Sequence, residues 1–300
     1  MTATAPAATG PLRMFGSSSD SWRMRVWRRF VRHRLAVASL ILLVAISVTV
    51  TAAPLLTPHG PIKFVGATEA KPTWEHPLGT DRLGRDVWAR LVYGGRVSIS
   101  VGIVAVAISI AITIVLGSIS GYYGGWLDML IMRFTDVMMV FPGLILIMVV
   151  VSVVGPSIYN VMVVIGILGW TGTTRLLRGQ ILSVREWDFV TAARCVGASN
   201  GQIMFRHILP NALAPLLVAA TFGVAGAILT EAGLSYIGLG VLPPAPSWGN
   251  MLNGAQSIYI LENFWWLWLP PGVAIFVTVL AINFVGDGLR DALDPRMSLD

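Results

Sequence analysis

An all-α, polytopic membrane protein with six transmembrane helices is the fold class this sequence predicts, and three observations carry the expectation. Hydrophobic residues fill 55% of the 300 positions and charged residues only 12%, with a mean hydropathy of +0.73, a balance soluble domains do not show. Apolar stretches of about 20 residues, the length a helix needs to cross the hydrocarbon core, recur along the chain. The single cysteine, Cys195, leaves no internal disulfide and too few thiolates for a structural zinc site, so lipid and helix packing hold the chain together.

Residues 1–21, with MTATAPAATG and GSSSD, lack hydrophobic periodicity and read as a disordered cytoplasmic tail. Residues 22–56 read as an interfacial helix followed by the first span. Within 22–34, Trp22, Val26 and Phe30 recur at four-residue spacing among arginines, the pattern of a helix lying on an anionic lipid surface. The uncharged run from Leu35 to Leu56 exceeds the about 7–15 residues of a signal-peptide core and is expected to be a retained span.

Residues 57–96 read as an extracytoplasmic segment and 97–287 as the main membrane domain. The spans are expected near 35–56, 97–120, 129–153, 158–178, 211–234 and 266–286. The stretch 137–174 carries no charge and is too long for one crossing, and Gly155-Pro156-Ser157 supplies the turn that divides it. Pro142, in Phe141-Pro142-Gly143, removes a backbone hydrogen bond and is expected to kink its helix. Trp265, Trp266 and Trp268 fit an aromatic belt at the outer interface. Asp287 is expected to end the sixth span, and 288–300 to be a cytoplasmic tail.

The net charge of +6 and pI near 10 are read as orientation signals and not as nucleic-acid binding. With the tail inside, fifteen of the 21 Lys and Arg fall on the tail side, in 13–34, at Arg133, in 175–206 and at Arg290 and Arg296. The positive-inside rule then places both termini in the cytoplasm of a multi-pass membrane protein.

Between the fourth and fifth spans, 183–210 is unusually polar. Ser183-Val184-Arg185-Glu186 and Ser199-Asn200-Gly201-Gln202 are capping-box patterns sixteen residues apart. Gly197 is placed to end the first helix in a left-handed conformation, and Pro210 to bound the second. Phe189, Val190, Ala193 and Val196 are expected to share one face. A helix this short is marginal in water and needs a partner surface.

Ionisable residues in spans are functional candidates by default. Arg133 and Asp136 lie three apart on the third span, as a structural pair or a gate. Glu231 is either a functional carboxylate or a cap to the loop beyond it. In LPPAPSWGN, Pro243, Pro244 and Trp248 are candidates for contact with another protein, since prolines preset chain shape at low entropic cost. His76 stands as a lone histidine in HPLGTDRLGRD, with no metal site expected.

Residues 191–210, TAARCVG followed by HILP, resemble the EAA loop of ABC importer permeases, whose first short helix docks into a groove of an ATPase subunit. Ala192, Ala193, Gly197, Leu209 and Pro210 match; Thr191 stands where the motif has Glu and His207 where its general form has Ile. HPLGTDRLGRDVWARLVYGGRVS (76–98), GYYGGWLDMLIMRFTDVMMVFPGL (121–144), EAGLSYIGLGVLPPAPSWGNML (231–252) and GDGLRDALDPR (286–296) are similar to the C-type, second permease subunit of the dipeptide/oligopeptide/nickel family. The resemblance implies a type I ABC importer permease fold in the bacterial cytoplasmic (inner) membrane. It also implies a heterodimer with a second permease, two ABC ATPase domains and an extracytoplasmic substrate-binding protein, with peptide as cargo and nickel as the alternative. Coupling to the ATPases is expected through Glu186, Asp188, Thr191, Ala192, Ala193, Arg194, Gly197, Arg206 and Pro210.

The chain has no G-x-x-x-x-G-K-[ST] loop: its only lysines, Lys63 and Lys71, follow Ile and Ala. ATP and Mg are therefore expected on the partner ATPases, with no cofactor in this chain. The competing readings are a passive channel, which would not need capped docking helices, and a membrane enzyme, for which no nucleophile converges with a base or metal cluster.

Overall fold

A computed structural model describes residues 22–293; the expectations for 1–21, for 294–300 with Arg296, and for the side chain of Trp22 lie outside the described residues. The described chain is helical, with two isolated β-bridges in the loop before residue 87. Helix α1 (Trp22–Arg32) leads into α2 (Arg34–Thr51), which His33 caps by accepting the Ala36 N–H at 3.1 Å, and a short α3 (Ala53–Leu56) follows.

Helix α4 (Val87–Tyr123) spans 37 residues, about 55 Å at the α-helical rise. It starts ten residues before the expected span, so 87–96 is helix and not part of the connecting segment. The cause is local. Asp86 caps the helix by accepting the Trp88 N–H at 2.9 Å, and Val87, Ala89 and Val92 are buried from the first turn.

The third span is broken rather than kinked. Helix α5 (Gly125–Val140) and α6 (Gly143–Val154) meet at 87° across Phe141-Pro142. Pro142 has no N–H to continue the ladder, and Phe141 takes an extended conformation with ψ 134. Counting that pair as one span, the described residues contain six helical segments long and apolar enough to cross a membrane.

Helix α7 (Ile158–Leu168) opens at the predicted turn, with Ser157 accepting the Asn160 N–H at 3.1 Å, and runs through Gly169 into α8 (Trp170–Arg185). The capping box expected at Ser183 is not formed. Ser183 lies inside α8, because buried Leu177, Ile181 and Val184 carry one apolar face past it. Two short helices follow, α9 (Asp188–Cys195) and α10 (Asn200–Gln202).

From α10 the chain passes through a π-helical turn at Ile203–Ile208 directly into α11 (Leu209–Tyr236). Pro210 does not bound a helix as expected and instead sits at the second residue of α11, inside a continuous helical run from Asn200 to Tyr236, where its missing N–H leaves a gap in the hydrogen-bond ladder. The turn before it is widened to i→i−5, with the Leu209 N–H bonded to the Met204 carbonyl. That wider turn carries the helix across the proline. Helices α12 (Trp248–Leu252) and α13 (Ile258–Asn263) shape the next loop, and α14 (Trp265–Leu293) runs past Asp287, which therefore does not end it.

Helix α4 is the central pillar, flanked by α2, α7, α8 and α11, while α14 closes the bundle against α11 and α2. Helix α1 docks on α14: Phe30 is buried against Ala36 and Ala292, so this ring of the expected lipid-facing stripe belongs to the bundle, while Trp27 and Val31 stay exposed. Gly288 permits the close approach of α2 to α14 beside it, since a Cβ there would lie 2.3 Å from the Ala36 Cβ. Of the three belt tryptophans, Trp266 is 3% exposed and packs with Val87, Ile260 and Leu267, whereas Trp265 is half exposed.

Residues 57–86 form an ordered loop around Asp81. Its carboxylate accepts the Leu83 and Arg85 N–H groups at 2.8 and 2.9 Å, pairs with the Arg85 guanidinium at 2.7 Å and lies 3.4 Å from buried Arg90. His76 is not solitary: its Nδ1 is 3.7 Å from Asp86, and its ring lies 5.8 Å from that of His59.

Candidate functional site

Two regions at opposite ends of α4 carry most of the predicted site residues, and Arg133, Asp136 and Pro142 lie apart from them on α5 and at its break with α6. Tyr122 near the C-terminus of α4 donates to Asn200 Oδ1 at 2.8 Å, while Gly94 near its start lies against Ser247. Twenty-eight residues of helix separate them, about 42 Å.

At the Tyr122 end, α9 and α10 form a compact corner. Gly197 has φ +83, and the bonds from Gly197 N to Arg194 O (3.0 Å) and from Ala198 N to Ala193 O (3.1 Å) close a Schellman motif as expected of this glycine. Ser199 and Gln202 then exchange the two bonds of a capping box, at 3.4 and 3.0 Å. The apolar face predicted for α9 divides. Val190 and Ala193 are buried with Tyr122, Leu177, Ile181, Val184, Ile203 and Ile208, whereas Phe189 and Val196 are exposed.

The division has a geometric reason: residues 189 and 196 are two turns apart on one line, and 190 and 193 lie off that line toward the bundle. With Trp187, the outward residues make an exposed apolar edge, Val196 being 85% exposed. Glu186, Asp188, Thr191, Ala192, Arg194, Arg206 and Pro210 are all exposed, and His207 is half-buried.

Within the bundle, a cavity of about 460 Å³ lies between α4, the α5–α6 break, α7 and α11. One wall is a stripe of small residues on α11, Ala219, Gly223, Gly226, Ala227 and Thr230; Met138, Met139 and Phe141 face it from the break, and no charged residue lines it. The sequence reading passed over this stripe. Its signal was Ala, Gly and Thr recurring every three or four residues in 219–230.

Of the gating candidates, Pro142 sits between two lining residues, Phe141 and Gly143, while Arg133, Asp136 and Glu231 do not line the cavity. Arg133 is 3.9 Å from Asp136 and largely exposed; the closer partner of Asp136 is Arg175 on α8. A second bridge was not foreseen: Asp128 on α5 takes two parallel bonds from Arg178 Nε and Nη2, both 2.6 Å, and accepts from Ser120.

At the Gly94 end, Glu231 is fully buried. Its carboxylate accepts Ser98 Oγ at 3.0 Å and Ser235 Oγ at 2.7 Å, and those hydroxyls accept the Trp248 and Val241 N–H groups at 3.2 and 3.0 Å. Pro243 and Pro244 are exposed. Trp248 is not a contact residue in this structure: it is 2% exposed, its Nε1 donates to Leu91 O at 2.9 Å, and its ring fills the space beside Gly95.

Known proteins share this architecture. A chain of the MetNI methionine ABC transporter, solved in inward-facing conformations, superimposes with a TM-score of 0.54 at 20% identity, covering 68% of this chain and 97% of that one. Among sequences, a Brucella suis protein named among the peptide permeases is 45% identical over 98% of this chain and 94% of its own length. The dipeptide transport system permease protein DppC of Alkalihalophilus pseudofirmus is 41% identical over 92% and 90%, and the glutathione transport system permease protein GsiD of Pectobacterium atrosepticum is 38% identical over 97% and 96%. Residues 21–72 match the N-terminal TM domain of oligopeptide transport permease C. With residues 113–299 matching the binding-protein-dependent transport system inner membrane component, the chain belongs to that family of membrane-embedded ABC-transporter permeases.

Proposed function

We propose that this chain is the C-type permease subunit of an ATP-driven importer of di- and oligopeptides, forming half of the translocation pathway. The observation that carries the coupling role is the rigid corner at 186–206, whose exposed edge of Trp187, Phe189 and Val196 stands outside the buried clusters although its inner face is locked to α4, α8 and α11. A groove on an ATPase subunit would cover that edge. Relatives named for dipeptide and glutathione transport support peptide cargo, and the uncharged cavity suits solutes of varied side chain.

In this reading the α9–α10 end and both termini face the cytoplasm, where most of the arginines lie. A second permease completes the pathway opposite the cavity, and two ATPase domains bind the ATP and Mg. A substrate-binding protein delivers cargo at the opposite end, where Pro243 and Pro244 are exposed. ATP-driven closure pulls the two docking corners together, and the corner turns the bundle as a lever.

The test is capture of the tagged chain in mild detergent with its co-expressed partner subunits, followed by ATPase assay with di-, tri- and oligopeptides and with nickel. Peptide-stimulated hydrolysis in a complex containing a second permease and ATPases is the expected result. Stimulation by nickel alone would reassign the cargo, and full-speed solute transport by the chain alone would overturn the reading.

A further inference from the structure

Helix α5 is poorly anchored. Only Thr135 of its sixteen residues is buried, and none of its side chains joins a hydrophobic cluster among the described residues. Trp126, Met129, Leu130, Val137 and Val140 are all exposed. Yet this helix carries Met138, Met139 and the α5–α6 break to the cavity wall.

Its interhelical ion pairs and ring contact lead to α8, while α4, which it follows in the chain and packs against, adds the Ser120 hydroxyl that donates to Asp128. Asp128 receives the two-pronged Arg178 bond, Asp136 pairs with Arg175, and Phe134 stacks on Trp170 with centroids 5.9 Å apart. Arg175, Arg178 and Trp170 all lie on α8. The rest of α8 is built into the docking corner, since Leu177, Ile181 and Val184 share one buried cluster with Val190 and Ala193 of α9. Only Glu186 and Trp187 separate the two helices, and their N–H groups bond back to Ser183 and Val184.

From this arrangement we infer that Asp128–Arg178 and Asp136–Arg175 are the mechanical link that makes α5 and the cavity wall follow the docking corner. The inference rests on the coupling role proposed above. Helix α5 has almost no buried apolar side chain to hold it in register with α8, whereas a two-pronged guanidinium–carboxylate pair fixes both distance and rotation. Packed cores transmit displacement because they are not continuously deformable. A push on α9 therefore moves α8 as one body, and the two bridges carry α5 with it. Arg175, Arg178, Asp128 and Asp136 are thus positioning residues, not cargo ligands.

The experiment uses the assembled transporter in proteoliposomes, measuring peptide taken up per ATP hydrolysed. Asp128→Asn and Arg178→Gln are expected to keep hydrolysis within about twofold of wild type while the uptake ratio falls about tenfold. The exchange of both, Asp128→Arg with Arg178→Asp, is expected to restore at least about a third of the ratio. A merely structural role would lower complex yield and leave the ratio of the surviving complex unchanged.

Should the neutral variants fail to assemble, Arg178→Lys carries the same test, because it keeps the charge and loses the parallel bonds: an intermediate ratio is expected. An unchanged ratio in the single variants, or an exchange variant that assembles but stays as uncoupled as the singles, overturns the inference and leaves the proposed function standing. A wild-type complex that fails to couple ATP to peptide uptake overturns both.

Discussion

Ser98 donates a 3.0 Å hydrogen bond to Glu231, tying α4 to α11 across 133 positions of sequence in a fully buried setting. The same hydroxyl accepts the Trp248 N–H, so one serine joins two spans to the loop that packs over them. A buried carboxylate without donors is costly, which makes each hydroxyl around Glu231 a strong determinant of local order. Ser98→Ala is expected to lower the stability of the purified permease complex by about 2 kcal/mol, read as a fall in the unfolding midpoint in detergent. Ser100→Ala serves as the control and is expected to change little, because the partly exposed Ser100 hydroxyl bonds to Val97 O within its own helix.

Gly249 and Gly233 make a matched pair for testing how the loop seats on α11. A Cβ on Gly249 would lie 2.6 Å from the Ala232 Cα and 2.9 Å from its carbonyl oxygen, backbone atoms that cannot yield, whereas one on Gly233 meets nothing within 4 Å. Gly249→Ala is therefore expected to reduce the yield of folded protein severalfold. Gly233→Ala should match or exceed wild type, since alanine is the better helix former. Equal yields from the two would show that the loop does not pack as described.

The left-handed turn at Gly197 gives a graded prediction. Alanine at φ +83 costs about 1–2 kcal/mol locally, and proline cannot adopt that angle at all. Gly197→Ala is expected to weaken ATPase capture several-fold. Gly197→Pro is expected to abolish peptide-stimulated hydrolysis without stopping membrane insertion, measured by membrane fractionation beside the ATPase assay. Normal stimulation in the proline variant would count against the docking role.

Asp81 organises the loop before α4 by accepting the Leu83 and Arg85 backbone N–H groups and facing two guanidinium groups, those of Arg85 and buried Arg90. Removing one partner of a buried ion pair leaves the other charge uncompensated, a loss of about 3 kcal/mol. Asp81→Ala should accordingly speed amide hydrogen exchange across 61–90 and leave the α9–α10 corner at wild-type rates. Uniform change across both regions would contradict the local character of this knot.

Much of the architecture was legible because bilayer crossing leaves a coarse, length-dependent signature. Six apolar segments, the division at Gly155-Pro156-Ser157 and the interruption at Pro142 all follow from how many uncharged residues a helix needs and where a backbone hydrogen bond cannot form. Short-range capping was legible for the same reason at Gly197 and Ser199, where each motif is closed by residues within a few positions. The Ser183 box failed because the choice there was not local: the apolar face of Leu177, Ile181 and Val184 had somewhere to be buried, and that burial outweighed a cap.

The electrostatic partners were the least legible part. Sequence spacing pairs Asp136 with Arg133 on its own helix, whereas the folded chain brings Arg175 from 39 positions away, and Asp128 finds Arg178 across 50. Trp248 reads as an exposed ring in a proline-rich loop, yet Gly95 leaves a slot that only a neighbouring helix could reveal. Composition, span length and local turn chemistry are written in consecutive residues, and from them the class of protein, its family and its helical corner at 186–206 could be read. Which charges meet, which rings are covered and where a cavity opens depend on how helices far apart in the chain come to lie side by side, and no spacing along a single segment encodes that.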